Sequence, residues 1–143
     1  MRIRKLGSEE IEPALALAWQ VFLQFEAPDY TREGVEEFHK SIHSESYLAA
    51  LCFYGAFKEE RLVGVLATRN EGKHIALFFV DARYQRQGIG RQLFESAKQA
   101  GMTVNASPYA VEIYHKLGFV ETDKEQVVNG LRFTPMEYGK SDE

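Results

Sequence analysis

The run "HIALFFV", His74 to Val80, is apolar on both parities of a strand, and "DARYQRQGIG" follows it at once. A strand with no polar face belongs in the middle of a sheet, covered on both sides. Here it must end in a glycine-rich turn and restart as a helix. Such a helix start presents unpaired backbone N–H groups outward, which suits an anion and above all a phosphate. Side chains at Gly88 or Gly90 would keep phosphates away from those amides, while Arg83, Arg86 and Arg91 add charge at the rim. A P-loop needs Gly-Lys-Ser/Thr, but Gly90 is followed by Arg91 and Gln92; a dinucleotide fingerprint needs a third glycine where Leu93 stands. Both are excluded. Taken alone, the turn also fits a helix that merely begins with glycines.

Around this unit the element types alternate. "MRIRKL" sets Ile3 and Leu6 among basic residues and predicts a short edge strand. Ile11, Leu15, Ala18, Phe22 and Phe25 recur at spacings of 4, 3, 4 and 3, which predicts a helix with one apolar stripe. Glu9, Glu10 and Glu12 load its first turn, where the helix dipole favours negative charge. Pro28 in "EAPDY" breaks it, and Thr31 can cap a second helix carrying Val35, Phe38 and Ile42. "YLAALCFYGAFK" and "RLVGVLATRN" flank the polar pair "EE" and predict a hairpin, with Gly64 marking a bulge. After the glycine turn, Ile89, Leu93, Ala97 and Ala100 keep helical spacing up to Gly101, and "MTVNA" is a short strand. Ser107 and Pro108 begin a last helix that stops at Gly118. "FVETDKEQVVNGLRFTPMEY" predicts two strands joined at Asn129-Gly130. The order is β-α-α-β-β-β-α-β-α-β-β, a single α/β domain over 1–138 with a frayed tail over 139–143.

Charge and composition exclude several classes of function. The net charge of −4, from 17 Lys+Arg against 21 Asp+Glu, provides no field to draw in a nucleic acid. No apolar stretch approaches the ~18 residues of a membrane span and the N-terminus has no signal-peptide core, so the expected location is the cytoplasm. The single cysteine, Cys52, cannot form an internal disulfide, and its setting "LAALCFYGAF" predicts a buried strand position. His39 and His43 share a helix side with no third ligand, so no metal is expected. His74 and His115 read as structural or exposed.

"YQRQGIGRQLF" resembles the acetyl-coenzyme A-binding motif of the Gcn5-related N-acetyltransferases, Q/R-x-x-G-x-G/A, with Gln85, Gly88 and Gly90 in the defining positions. "VNASPYAVEIYHKLGF" resembles the family's second signature, a strand bearing Asn followed by a helix ending Tyr-x-x-x-Gly-Phe. The element order matches the family fold from first strand to last. The resemblance implies a mixed, mostly antiparallel sheet of about six or seven strands with about four helices. It further implies acetyl-coenzyme A as co-substrate and no metal. The backbone of Phe79 and Val80 would pair with the pantetheine arm as an added strand pairs with a sheet edge. Amides of Arg86, Gln87, Gly88, Ile89, Gly90 and Arg91 would cradle the pyrophosphate, and Asn105 would hydrogen-bond the arm. Tyr114 would stand near the sulfur as proton donor; it also reads as a core tyrosine, since Val111, Tyr114 and Leu117 share a helix face.

The activity so implied is transfer of an acetyl group to the primary amine of a small molecule by direct attack. The alternatives are a catalytically silent coenzyme A-binding sensor or partner module, a protein or peptide N-acetyltransferase, and transfer of a longer acyl group. A homodimer is compatible with each. An amine of pKa near 10 arrives protonated, so a base is needed, and the sequence names none clearly. Glu26 and Asp29 at the helix bend are candidates beside the acceptor entrance, with Phe25 and Tyr30 as apolar walls for a cation; solvated loop carboxylates are the other reading.

Overall fold

The computed structural model describes residues 1–139. Arg2–Lys5 forms β1, the expected edge strand, and one tight turn leads into α1, Ile11–Val21. Glu10 fixes that entry, because its Oε1 accepts from the Gly7 N–H at 2.8 Å while its other oxygen pairs with Arg4 at 2.6 Å. The helix does not simply stop at Pro28. It first widens into a π turn, Phe22–Glu26, closed by the Ala27 N–H on the Phe22 carbonyl. Arg32–Ile42 is α2, capped as expected by Thr31, whose Oγ1 accepts from the Gly34 N–H. Glu45–Ala49 is a short α3 capped by Ser44, where the sequence predicts the start of a strand.

Cys52–Lys58 (β2) and Arg61–Arg69 (β3) form the hairpin, with Glu59 and Glu60 both at positive φ in its turn. The bulge predicted at Gly64 falls beside it: Gly64 pairs with Ala56 and Leu62 with Phe57, leaving Val63 extra. His74–Val80 is β4, followed by α4 at Ile89–Ala97, β5 at Thr103–Ala106 and α5 at Val111–Leu117. α4 ends before Ala100, because Lys98 turns extended and Gly101, at φ +81°, donates its N–H to the Tyr138 carbonyl on the way into β5. The last stretch makes three strands rather than two: Phe119–Glu121 (β6), Gln126–Val128 (β7) and Leu131–Tyr138 (β8). The tail expected over 139–143 lies outside the described residues from 140 onward.

The eight strands run in the order β1-β2-β3-β4-β5-β8-β6, with β7 paired to β8, and only β4 with β5 is parallel. Sheet and helices enclose two cores. One, with Leu93, Phe94, Met102 and Phe119, lies under α4 and α5; the other, with Leu17, Phe22, Ile42 and Phe79, lies under α1 and α2. β4 serves both through a second bulge. Ala67 pairs with Leu77 and Thr68 with Ile75, so Ala76 is extra and the facing reverses there. Ile75 accordingly packs in the first core, and Leu77 and Phe79 in the second. The run that is apolar on both parities is thus a central strand with both faces covered. β4 and β5 hold together only at His74–Thr103 and Ile75–Val104; beyond that they part.

Candidate active site

The parting of β4 and β5 opens a cleft of about 830 Å³ that reaches from α2 and the β7–β8 hairpin to the start of α4. Its floor is backbone. The Asp81 N–H donates to the Val63 carbonyl, so by strand alternation Phe79 also turns its N–H toward β3, while Phe78 and Val80 turn theirs toward the gap. Gln85 braces this edge by donating from Nε2 to the Val80 carbonyl at 3.0 Å.

At one mouth stands the glycine turn. Arg86 and Gly88 are both left-handed, at φ +65° and +84°, and the chain enters α4 directly afterward. A Cβ on Gly88 would meet no protein atom within 4 Å, so the turn borders open space at the start of α4. A Cβ on Gly90 would lie 3.6 Å from Phe78 Cζ and 3.7 Å from Val80 Cγ2, in ordinary van der Waals contact with β4. Arg91 is tied to α5 by a 2.6 Å bond to the Lys116 carbonyl, and Gln87 accepts from Lys58 at 3.0 Å. Arg86, Gln87, Gly88, Ile89, Gly90 and Arg91 therefore form one continuous rim, all but Gln87 lining the cleft itself.

Tyr114 and Glu26 line the same cleft, and the Glu26 charge acts on the Tyr114 phenol. Tyr114 is 5% exposed and packs between Phe78 and Phe119, at ring distances of 5.9 and 5.2 Å. Burial, with a smaller push from the Glu26 charge, raises its phenol far above the usual range. Glu26 is the last residue of the π turn, and burial pushes its carboxyl up to about 7. A contact with the Ser107 hydroxyl offsets part of that rise, and the Asp29 charge adds to it. Ser107 Oγ is itself buried and makes no bond of full hydrogen-bond geometry. The Glu26 charge is also felt at Tyr30 and Tyr109, whose phenols are raised chiefly by burial.

The other expected acceptor residues divide. Tyr30 lines the cleft and anchors the β7–β8 hairpin, its hydroxyl donating to the Arg132 carbonyl at 3.2 Å. Phe25 instead stacks on Tyr109 at 5.1 Å, and Asp29 is exposed, offering its carbonyl to Arg132. Asn105 lines the cleft with its side chain exposed to it. Cys52 is half-buried rather than a full core residue, because it opens β2 at the sheet's end. His115 is a surface group held by Glu121 at 2.7 Å, and His43 bonds the His39 carbonyl. Among the described residues no three His, Cys, Asp or Glu side chains gather to hold a metal.

Residues 26–140 match the model of the acetyltransferase (GNAT) domain, well over half of the chain. The chain belongs to the GNAT acetyltransferase family. Solved structures agree on the fold of this GNAT domain. A GCN5-related N-acetyltransferase from Rhodopseudomonas palustris superposes with a TM-score of 0.82 at 23% identity, covering 96% of this chain and 94% of that one. The PaiA N-acetyltransferase of Thermoplasma acidophilum, solved with coenzyme A, gives 0.76 at 21% identity over 96% and 97%. The apo form of YjaB from Escherichia coli gives 0.77 at 24% identity over 96% of each chain. No curated protein matches by sequence. No helix among the described residues is long and apolar enough to cross a membrane.

Two features of this GNAT site escape the sequence. Phe78 offers the cleft-facing amide beside Val80, which only the register against β3 assigns. The environment of Glu26 depends on Tyr30, Ser107, Tyr109 and Tyr114, which are distant in sequence. The proline after Glu26 marks a bend and nothing more.

Proposed function

We propose that the protein transfers an acetyl group from acetyl-coenzyme A to the primary amine of a small molecule, with Glu26 as general base. The observation that carries this is a carboxyl raised to about 7 in the same cleft as Tyr114 and the open edge of β4. The residues fit the coenzyme. Open space beside Gly88 at the start of α4 suits a pyrophosphate, and the unpaired edge at Phe78 and Val80 suits an extended amide-bearing arm. Bound there, the coenzyme would supply an acetyl group activated as a thioester.

The chain's own groups then have distinct tasks. Glu26, ionised in about half of the molecules at neutral pH, takes a proton from the incoming ammonium, freeing the lone pair that forms the N–C bond. The Phe78 or Val80 N–H stabilises charge gathering on the carbonyl oxygen. As the C–S bond breaks, the electron pair leaves on sulfur and the newly acylated nitrogen gives up its second proton to solvent, leaving a neutral amide. Tyr114 stays protonated at any working pH, and its raised phenol is too weak an acid to surrender a proton fully to a thiolate of pKa near 8.5. It therefore donates a hydrogen bond to sulfur, which takes its proton from solvent on release. Asn105 orients the arm from β5.

Release of free thiol from acetyl-coenzyme A over a panel of amines, polyamines and peptides tests the reading. Amine-dependent release is expected. If none exceeds the blank while coenzyme A binding persists in calorimetry, the protein is a coenzyme A sensor.

A further inference from the structure

The acceptor half of the cleft holds a cation with nothing to pair with. Arg69, the last residue of β3, shares the face of Val65 and Ala67, which pack under α1 and α2. It is half-buried and lines the cleft, yet among the described residues no carboxylate lies within 4.0 Å of it and its guanidinium donates no hydrogen bond. The other arginine on that side, Arg132, is held by Glu125 at 2.9 Å. A part-desolvated guanidinium without an acceptor is costly and is relieved by a bidentate oxyanion.

Its neighbours complete an anion site. Tyr47 of α3 and Ser41 of α2 line the same cleft and carry hydroxyl donors, and the Arg69 charge acts on the Tyr47 phenol. His74, the register partner of Arg69, is driven down to about 4, first by burial and then by that charge, so it is neutral. Its Nδ1 is occupied by Thr103 Oγ1 at 2.8 Å. Glu37 also lines the cleft, outside ion-pair reach of Arg69, and opposes any second negative charge. One positive charge with neutral donors suits a monoanion.

We infer that the acetyl acceptor is an amino-carboxylate, its carboxylate held by Arg69 and its amine presented at Glu26. This rests on the acetyl-transfer reading above. Arg69 pairs with His74 while the open edge lies four residues on at Phe78, about 13 Å along the strand, so amine and carboxylate belong at opposite ends of a short chain.

Matched acceptors test this: 6-aminohexanoate, hexylamine and 5-aminopentylphosphonate, each with the native chain, Arg69→Gln and Arg69→Lys. The ratio of kcat/KM for 6-aminohexanoate over hexylamine is read within each preparation, so a loss of folded protein cancels. The native chain is expected to favour the carboxylate by about 10–100-fold, through KM. Arg69→Gln brings the ratio near one, and Arg69→Lys keeps part of it. A native ratio near one, or a preference that survives Arg69→Gln, overturns the assignment; a better phosphonate overturns the monoanion. If no amine turns over, the acetyl-transfer reading fails by itself. Binding of 6-acetamidohexanoate in the presence of coenzyme A then decides the subsite, with loss in Arg69→Gln expected and equal affinity in the two proteins refuting it.

Discussion

Replacing Glu26 by Gln keeps the shape of the side chain and removes the base. A positioned base contributes about 10²–10⁴-fold, so kcat/KM for an alkyl amine should fall by that much at pH 8. The pH dependence is the sharper signature. With the carboxyl at about 7, the ionised fraction rises from about 0.09 at pH 6 to about 0.91 at pH 8. The ratio of native to Glu26→Gln kcat/KM cancels the acceptor's own titration and should climb about tenfold over that interval. An ordinary carboxylate near 4.5 would leave the ratio flat. Stability runs the other way. The unfolded chain loses this proton near 4.5 and the folded chain near 7, so native stability falls as pH rises across that window, by about 3 kcal/mol in total. Glu26→Gln should therefore melt higher than the native chain above pH 7 and lose this difference below about pH 4.5. A loss under about tenfold would refute Glu26 as the base, and a flat activity ratio would refute its raised carboxyl.

Tyr114→Phe should lower kcat by about 10–100-fold with little change in acceptor KM, and its melting temperature should match the native value; an unaltered kcat would return Tyr114 to a packing role. Gly88→Val forces a β-branched residue to φ +84° and places its side chain in the open space beside the start of α4. Calorimetry should show coenzyme A affinity falling at least about a hundredfold, with about 1–3 kcal/mol of strain in urea unfolding; retained affinity would move the pyrophosphate elsewhere. Gly34→Ala puts a Cβ against the Gly130 carbonyl oxygen, a backbone atom that cannot swing aside. A loss of about 1–3 kcal/mol in urea unfolding is expected, and none would show that the hairpin roof over the acceptor side is loose.

Legibility followed the range of the cause. "HIALFFV" declares a covered central strand because burial on two faces demands apolar residues at every position. The turn is declared by Gly88, which takes the left-handed backbone at φ +84°. α3 was hidden because "YLAAL" is as apolar as a strand, although Ser44 stood three residues before the Tyr47 N–H it caps. The π turn has no local signature in "FLQFE"; one inserted residue there carries Glu26 into the cleft while Phe25 packs on Tyr109. β7 is three residues long and forms only because β8 extends past it. The chemistry of Glu26 and Arg69 comes from which groups the fold leaves beside them, and no sequence spacing encodes that.

The most direct measurement is a crystal structure with coenzyme A bound. Pyrophosphate is expected on the amides of residues 86–91, the arm along β4 at Phe78 and Val80, and sulfur within hydrogen-bond reach of the Tyr114 hydroxyl, on the side facing Glu26. Coenzyme A bound outside the gap between β4 and β5, or sulfur remote from both side chains, would contradict this placement.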